Sequence, residues 1–522
     1  MDDSTIVFIV LAGVVVLFVA NLVPVEIVAV ATALTLWATD ILDINQALAG
    51  FGDPTVVYIA ALFVVSESLD ASGVTTWAGE QLVAGAGASR ARLLVLLMGV
   101  CAFLTALISV NGAVAALLPV VVVMAVKLRR PASQLLMPLA FAAHAGSMLA
   151  LTGTPINVIV SDASKDAGGD YFGFFEFTLV GIPLVAGTIA IVVLFGERLL
   201  PDRTARHIPK DLGDHARTLA LHYDLDDAVH EPLYSRRSGV AEVVIPPRSG
   251  IVGESAFPGM VTDSGDFVVL AIQRGGVDLG PTETVLAAGD TLLLQGTWDA
   301  LATGLQDPDV VVVDPPDMVR RQAVPFGPGA KRATGILLVM VALLATGAVP
   351  PAVAALIAAG ALVLTRVLTL DQAYRSVNWT TVILVAGMIP LSTAMTVSGA
   401  AEKLADGLVD VVGDSGGHAL LIGMFVLAAV LGQLISNTAT ALILIPIALS
   451  AAGELGVSSR PVLMSLTVAC AGALLTPVAT PANMMVMCPG GYRFGDYARL
   501  GLPLLGWFFV VAVGIVPLFW SF

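Results

Sequence analysis

The chain has 522 residues, of which 12% are charged and 57% are hydrophobic, with a mean hydropathy of +0.90 and a net charge of −15. Soluble proteins carry roughly a quarter charged residues, so the composition excludes a single soluble globule and a disordered chain. The negative charge argues against nucleic acid as a partner. The composition predicts an all-α polytopic membrane protein embedded in a lipid bilayer.

The charges divide the chain into three parts. Residues 201–332 hold 12 basic and 19 acidic residues, which are 31 of the 65 charges. We therefore predict a first membrane block (1–200), a cytoplasmic insert (201–332) and a second membrane block (333–522). Each block is expected to cross the membrane five times. The predicted membrane helices are 5–20, 22–39, 54–73, 134–163, 175–198, 333–348, 351–367, 379–397, 460–487 and 500–520.

Each block has one further apolar segment with a polar break at its centre, 91–127 in the first block and 417–455 in the second. Each half is roughly 15–18 residues, which is short for a full crossing at about 1.5 Å per residue. We predict a re-entrant hairpin in each block, and two ordinary short spans are the alternative.

The basic residues set an orientation for this topology. With hairpins that do not cross, the inner loops and their flanks hold 17 Lys and Arg, whereas the outer loops hold Lys165, Lys403 and Arg460. The positive-inside rule then places both termini outside and the insert in the cytoplasm. The acidic N-terminus Met1-Asp2-Asp3 is unlike a cleavable signal peptide, and we expect a multi-pass protein of the cell (plasma) membrane.

The two membrane blocks repeat each other. Four elements recur in the same order, at offsets of 326 or 327 residues for three of them: Ser66…Gly73 with Ser392…Gly399, 109–119 with 436–446, 153–157 with 479–483, and Gly181-Ile-Pro183 with Gly501-Leu-Pro503. An odd number of crossings per block would make the copies inverted. Inverted repeats with broken helices are the architecture of secondary transporters.

Polar residues mark the centre of each hairpin. Ser109-Val110-Asn111 and Ser436-Asn437-Thr438 each begin a half-helix within apolar sequence. Free N–H groups and the positive end of the dipole favour an anion at a helix start, and hydroxyl and amide groups add neutral donors. The alternative is that these residues serve only as N-caps.

About 44 residues further on, each block has a Thr-Pro-x-Asn element. Gly153-Thr-Pro-Ile-Asn157 and Ala479-Thr-Pro-Ala-Asn483 should break their helices and free carbonyl groups, which suit Na⁺. A proline kink that serves packing is the alternative. Glu67 and Asp70 could relay protons or lie at the interface, and we interpret His144 as a hydrogen-bonded packing histidine rather than a ligand.

These motifs resemble the divalent anion:sodium symporter family within the wider ion-transporter superfamily. The resemblance covers both membrane blocks and implies five crossings and a hairpin per repeat, a homodimer, an elevator mechanism and Na⁺ as the coupling ion. It implies Na⁺ at Ser109, Asn111, Gly153, Asn437 and Ala479. It implies substrate contacts at these residues: Ser436, Asn437, Thr438, Asn111, Thr154, Pro155, Thr480 and Pro481.

The chain departs from this family at Val110, which stands where an asparagine is usual. A valine side chain cannot coordinate Na⁺ or bind a carboxylate. Val110 therefore removes a side-chain ligand from the first cation site and a contact that the family's preference for dicarboxylates would use. Asn111 supplies an amide one position later.

The insert has its own pattern of short strands and turns. Residues 238–305 resemble a TrkA-C domain, as in Pro246-Pro-Arg-Ser249, Ile272-Gln-Arg-Gly275 and Gly289-Asp290. The resemblance implies a small α/β module that senses a small ligand or dimerises, and a packing domain without a ligand is the alternative. We interpret 199–237 and 306–332 as linkers.

The sequence shows no nucleophile–base pair, metal-ligand cluster or phosphate-binding glycine motif, so we predict no enzyme and no cofactor beyond Na⁺. The leading interpretation is a secondary active transporter of a small anion, of the sulfate or dicarboxylate class. The alternatives are an H⁺- or Na⁺-driven antiporter, an oxyanion exporter of the same superfamily, or a membrane sensor that moves no solute.

Overall fold

The computed structural model describes residues 2–20, 22–75, 77–78, 81, 89–127, 130–203, 233–235, 238–280, 282–305, 308–314, 316, 319, 327, 329–412, 416–477 and 479–522. Most of the linker predicted at 199–237, and much of that at 306–332, lies outside these residues. The chain divides into two compact units. The first unit comprises Met1–Ser68, Gln81–Pro209 and Arg332–Phe522, and the second comprises Leu69–Glu80 and Lys210–Lys331.

The first membrane block is helical. Its helices are α1 (Asp3–Ala20), α2 (Val25–Ala38), α3 (Ile44–Leu48), α4 (Pro54–Ala71), α5 (Arg90–Leu107), α6 (Val110–Lys127), α7 (Leu136–Gly146), α8 (Pro155–Asp166) and α9 (Thr178–Leu199). Short 3₁₀ turns lie at Ala49–Gly52, Ala132–Gln134 and Leu151–Gly153.

The second membrane block is also helical. Its helices are α11 (Ala330–Thr346), α12 (Pro351–Leu364), α13 (Leu370–Ser376), α14 (Trp379–Val397), α15 (Ala400–Val412), α16 (Gly417–Leu431), α17 (Asn437–Glu454), α18 (Ser459–Ala471), α19 (Pro481–Gly490), α20 (Phe494–Val510) and α21 (Val516–Phe519). A π-helical turn (Val511–Ile515) joins the last two.

Some helices of the two blocks have matching starts. The short helices α3 and α13 each begin with a capping box, Asp43 with Gln46 and Thr369 with Gln372, 326 residues apart. The helices α6 and α17 are both 18 residues long and start 327 residues apart. These pairs of helices therefore begin at corresponding positions in the two blocks.

Several of these helices are suited to a bilayer. Within the described part of the chain, seven helical segments are long and apolar enough to cross a membrane: Asp3–Ala20, Ile44–Ala71, Arg90–Leu107, Thr178–Leu199, Trp379–Val397, Asn437–Glu454 and Phe494–Phe519. Shorter apolar helices lie between them. These helices confirm the prediction of a polytopic helical membrane protein.

The segments predicted as the single spans 134–163 and 460–487 are each two helices. In the first block α7 ends at Gly146 and α8 begins at Pro155, and in the second α18 ends at Ala471 and α19 begins at Pro481. Each proline stands at the first helical position, where its missing N–H is tolerated. The chain between the paired helices is therefore free to line a cavity.

The second unit contains a small antiparallel sheet. Its strands are β1 (Ser238–Val244), β3 (Phe267–Arg274), β4 (Val277–Asp278), β6 (Thr291–Thr297) and β7 (Val311–Val312), in the order β4-β3-β6-β1-β7. A second pair joins β2 (Ser255–Ala256) to β5 (Thr284–Val285), and helix α10 (Trp298–Gly304) follows β6. β1, β3 and β6 lie within 238–305, where the sequence predicts short strands and turns.

An ion pair between the half-exposed Arg274 and the buried Asp290 joins two parts of this sheet domain. The Asp290 side chain is fully buried and accepts hydrogen bonds from Arg274 Nε (2.7 Å), from Arg274 Nη2 (2.7 Å) and from Ala287 N (2.8 Å). The hydrogen bonds from Arg274 hold the pKa of Asp290 below its usual value. A carboxylate whose folded-state pKa is lowered contributes stability above its unfolded pKa of about 3.9, and loses it as the pH falls through the lowered pKa.

We expect Asp290→Asn to destabilise the sheet domain by about 1–2 kcal/mol at pH 7, because the amide cannot accept both guanidinium hydrogen bonds. Hydrogen exchange of β3 and β6 in the full-length protein measures this loss. The difference from wild type should narrow as the pH falls below about 4. Asp263→Asn, at an exposed aspartate, is the control, and equal protection in both variants would contradict the prediction.

Candidate functional site

Two buried asparagines hold the broken helices open. Asn157 Nδ2 donates to the carbonyl oxygens of Ser147 (2.9 Å) and Ala150 (2.8 Å). Asn483 Nδ2 makes the equivalent bonds to the carbonyl oxygens of residues 473 (2.9 Å) and 476 (3.0 Å), ten and seven residues earlier, as in the first block. Both asparagines are fully buried. Their amides therefore satisfy carbonyl groups that the helix breaks release.

Two glycines let a neighbouring helix approach each break. A Cβ on Gly181 would lie 2.2 Å from the Met148 carbonyl oxygen, and one on Gly501 would lie 2.3 Å from the Leu474 carbonyl oxygen. Any larger residue would displace the backbone at these points. This explains why the Gly-x-Pro element recurs in both blocks, in α9 and in α20.

The hairpin tips are capped by serine. Ser109 Oγ accepts from the Gly112 N–H (3.2 Å), and Ser436 Oγ accepts from the Ala439 N–H (3.3 Å) as the N-cap of α17. The capping role considered for these two serines is therefore present. Capping leaves the Asn437 side chain unexplained, because its buried Oδ1 has no hydrogen-bond partner in the described part of the chain.

The two tips and the two breaks meet at one cavity of about 440 Å³. All the site residues predicted from the sequence line it: Ser109, Asn111, Gly153, Thr154, Pro155, Ser436, Asn437, Thr438, Ala479, Thr480 and Pro481. Val110, at the position that departs from the family pattern, lines it as well. Residues 300 or more apart in the chain thus contribute to a single volume, which is large enough for a small organic or inorganic anion.

Sequence reasoning missed several polar residues of this cavity. Ser147, Thr467, Asn378, Thr380 and Thr381 also line it. No motif marks them, and their hydroxyl and amide groups sit in ordinary helical sequence. Thr380 donates its hydroxyl to the Glu26 carboxylate at 2.6 Å, a contact across 354 residues that no local sequence pattern marks.

The electrostatics of the cavity favour an anion without using a basic side chain. Helices α6, α8, α17 and α19 all begin at residues that line it: Val110, Pro155, Asn437 and Pro481. Their N-termini bring free N–H groups and positive dipole ends to one volume. No Lys or Arg occurs among the described lining residues, and Glu67 is the carboxylate among them.

The unpartnered oxygen of Asn437 fits a hard cation. A buried carbonyl oxygen without a donor is costly, and amide and backbone carbonyl oxygens are ligands that Na⁺ accepts. Ala479, at the second break, lines the same cavity. In the first block Asn111 lines the cavity where Asn437 does in the second, one position later in its motif.

His144 takes part in the site. Its side chain is 2% exposed, and Nε2 lies 3.1 Å from Thr480 Oγ1 and 3.2 Å from Asn483 Oδ1. It also lines the cavity. The histidine therefore links α7 of the first block to the helix break of the second.

Helices that break in the membrane region around a shared polar cavity define the class of multi-pass membrane transporters. Comparison with known proteins supports this class. The family model described as citrate transporter, CitMHS, matches residues 15–469 and 411–522. The chain belongs to this citrate transporter family, and its assignment to the ion-transporter superfamily is confirmed.

The relatives are transporters as well. The uncharacterized transporter YfbS of Escherichia coli (strain K12) is 32% identical over 98% of this chain and 98% of its own length. The uncharacterized transporter sll0640 of Synechocystis is 28% identical over 94% of this chain and 92% of its own. Sodium/sulfate cotransporter 2 of Chlamydomonas reinhardtii is 26% identical over 47% of this chain and 28% of its own.

One solved structure is also similar. The YdaH transporter of Alcanivorax borkumensis aligns with 91% of this chain and 87% of that chain, at 13% identity and a TM-score of 0.49. That score lies below the level from which a shared fold can be argued.

We expect Asn157→Asp and Asn483→Asp each to lower the stability of the membrane unit by at least about 2 kcal/mol. The substitution keeps the shape but places an oxygen against two carbonyl oxygens, so that two buried acceptors lose their donor. Thermal unfolding in detergent measures the change.

Asn378→Asp is the matched control for this prediction. The Asn378 side chain caps α14 by accepting from the Thr381 N–H at 3.0 Å, and an aspartate caps equally well. Equal melting temperatures for the Asn157→Asp, Asn483→Asp and Asn378→Asp variants would contradict the role of the two break asparagines.

Proposed function

We propose that the protein is a Na⁺-coupled secondary active transporter of a small anion, of the sulfate or dicarboxylate class, and not an enzyme. The observation that carries the proposal is the convergence of four helix N-termini and two polar hairpin tips on one cavity without Lys or Arg among its described lining. Neutral donors and dipoles bind an anion and still let it leave, as transport requires.

The relatives support the substrate class. Several proteins that match about half of this chain are sodium/sulfate cotransporters by name, and solute carrier family 13 member 2 of Rattus norvegicus matches 30% of it. The family model is described as citrate transporter. A polyvalent oxyanion or carboxylate is common to these descriptions.

Na⁺ coupling is supported by the cavity itself. A cation that binds beside the anion would satisfy the Asn437 oxygen and offset the negative charge of the substrate. Such a pair of co-bound charges ties the movement of one ion to the other. The Na⁺ sites that we propose are Ser109, Asn111 and Gly153 in the first block, and Asn437 and Ala479 in the second.

The transport mechanism forms part of the same proposal. The two blocks would be inverted repeats with a re-entrant hairpin at 91–127 and at 417–455, and the cavity would alternate between the two sides by an elevator movement in a homodimer. The corresponding breaks, caps and hydrogen bonds of the two blocks support the repeat. The TrkA-C insert would regulate or dimerise the transporter from the cytoplasm.

A proton-driven or exchange mode is the second candidate function. Two titratable side chains, Glu67 and His144, line the cavity. If a pH gradient drives uptake in the absence of Na⁺, this mode replaces Na⁺ symport.

The orientation in the plasma membrane can be tested by labelling. Both termini would lie outside, so Lys165 would be outside and Arg375 inside. Cys101 and Cys470 are buried, whereas Cys488 is exposed. In a Cys488→Ala background, a membrane-impermeant maleimide should label Lys165→Cys but not Arg375→Cys in intact cells. The reverse pattern would contradict the orientation.

Uptake into proteoliposomes tests the function. We expect an inward Na⁺ gradient to drive uptake of sulfate or succinate, and Asn437→Ala to lower that uptake at least about tenfold, because the variant lacks the amide oxygen and donor at the tip. Val110→Ala, at the matching position of the first hairpin, should retain uptake, because Val110 has no polar group to lose.

Two results would contradict this function. One is uptake that is the same in Na⁺ and in choline. The other is an Asn437→Ala variant that transports as fast as the Val110→Ala control, which would favour a sensor that moves no solute.

A further inference from the structure

The two helix breaks share the same asparagine hydrogen bonds but have different neighbours. Asn483 Oδ1 lies 3.2 Å from His144 Nε2. Asn157 Oδ1, in the equivalent place of the first block, is buried and has no hydrogen-bond partner in the described part of the chain. The residue 326 positions after His144 is Cys470. The imidazole therefore serves only the break of the second block.

The hydrogen bonds of Asn483 determine which nitrogen of His144 carries a proton. Asn483 Nδ2 donates to two carbonyl oxygens, so the amide oxygen is the atom that faces His144. An amide oxygen only accepts hydrogen bonds. Nε2 must therefore be the protonated nitrogen of the ring, an assignment made from the network.

The single Nε2–H is shared between Asn483 Oδ1 and Thr480 Oγ1 as a bifurcated donor, so it also acts on Thr480. Thr480 Oγ1 lies 3.1 Å from His144 Nε2 and also accepts from the Asn483 N–H at 3.3 Å. A hydroxyl has two acceptor sites and one proton. With both acceptor sites used, the Thr480 hydroxyl can only donate, and Thr480 lines the cavity.

Thr154 lacks this arrangement. It is the N-cap residue of α8, as Thr480 is of α19, but its side chain makes no capping hydrogen bond, whereas that of Thr480 accepts from Asn483 N. No hydrogen bond holds the Thr154 hydroxyl in one role within the described residues. The two threonines are therefore equivalent in sequence and different in chemistry.

We propose that His144 is a specificity-determining positioning residue, which holds the Thr480 hydroxyl as a donor so that the charged group of the substrate binds in the half of the cavity formed by the second block. The inference rests on the proposed function and narrows its substrate to anions whose oxygen atoms only accept, such as sulfate or a fully ionised carboxylate. Val110 in the tip of the first block agrees with this, because it removes a polar group from the other half.

Two isosteric substitutions test the inference. His144→Gln keeps an N–H donor and His144→Met does not, and both side chains are unbranched and of similar size. In Na⁺-driven sulfate uptake, we expect His144→Met to raise KM at least about tenfold with little change in Vmax, and His144→Gln to stay within about threefold of wild type. Succinate serves as the second probe.

A double-mutant cycle shows whether His144 acts through Thr480. Thr480→Val removes the hydroxyl, and the KM of His144→Met/Thr480→Val should then be no higher than that of the worse single variant. Thr154→Val is the matched control. Its effect should multiply with that of His144→Met, because the hydrogen bonds of the His144 ring go to Thr480 and Asn483 and not to Thr154.

The outcomes separate this inference from the proposed function. If wild type takes up the anion but His144→Met has the KM of His144→Gln, or if its effect multiplies with that of Thr480→Val, the inference is overturned and the proposed function stands. If wild type takes up neither sulfate nor succinate with Na⁺, both are overturned.

Discussion

Carbonyl groups that a helix break releases inside the membrane must accept hydrogen bonds from other donors. The rest of this site depends on which side chains supply those donors. Unsatisfied polar groups cost several kcal/mol in hydrocarbon, so irregular backbone persists there only where protein or a polar cavity satisfies it. Asn157 and Asn483 each give both amide protons to carbonyl groups of their own break. Because the breaks are stable, α8 and α19 can begin at the cavity with their N-termini directed to it.

The cavity would therefore bind an anion through several neutral hydrogen-bond donors and helix dipoles rather than through one basic side chain. Four helix starts, several hydroxyls and amides line it, with no Lys or Arg among the described lining residues. A transporter must release what it binds, and a buried ion pair with a basic side chain would oppose release. The two halves differ through His144 and Val110, so that a nearly symmetric backbone holds an asymmetric set of donors.

Much of this could be predicted from local sequence. The membrane class, the transporter family and the positions of the breaks follow from apolar length, from prolines and from the repeat. The tips and breaks chosen as site residues all line one cavity, although their roles toward Na⁺ and substrate stay predictions. His144 is buried and hydrogen-bonded, as the sequence predicts, but its partners Thr480 and Asn483 could not be named from the sequence because they lie more than 330 residues away. Ser147, Thr467 and Thr380 were missed, because isolated hydroxyls in a helix carry no motif.

The sequence by itself determined what depends on neighbouring residues. The low charge of the two blocks, the apolar lengths and the Thr-Pro-x-Asn breaks are local features, and they determine a polytopic helical membrane protein; the offset of about 326 residues predicts a repeat. Only the tertiary structure decided which polar groups face one another. The proton on His144 Nε2, the donor role of Thr480 and the unpartnered oxygens of Asn157 and Asn437 follow from contacts between distant segments, which no local pattern encodes.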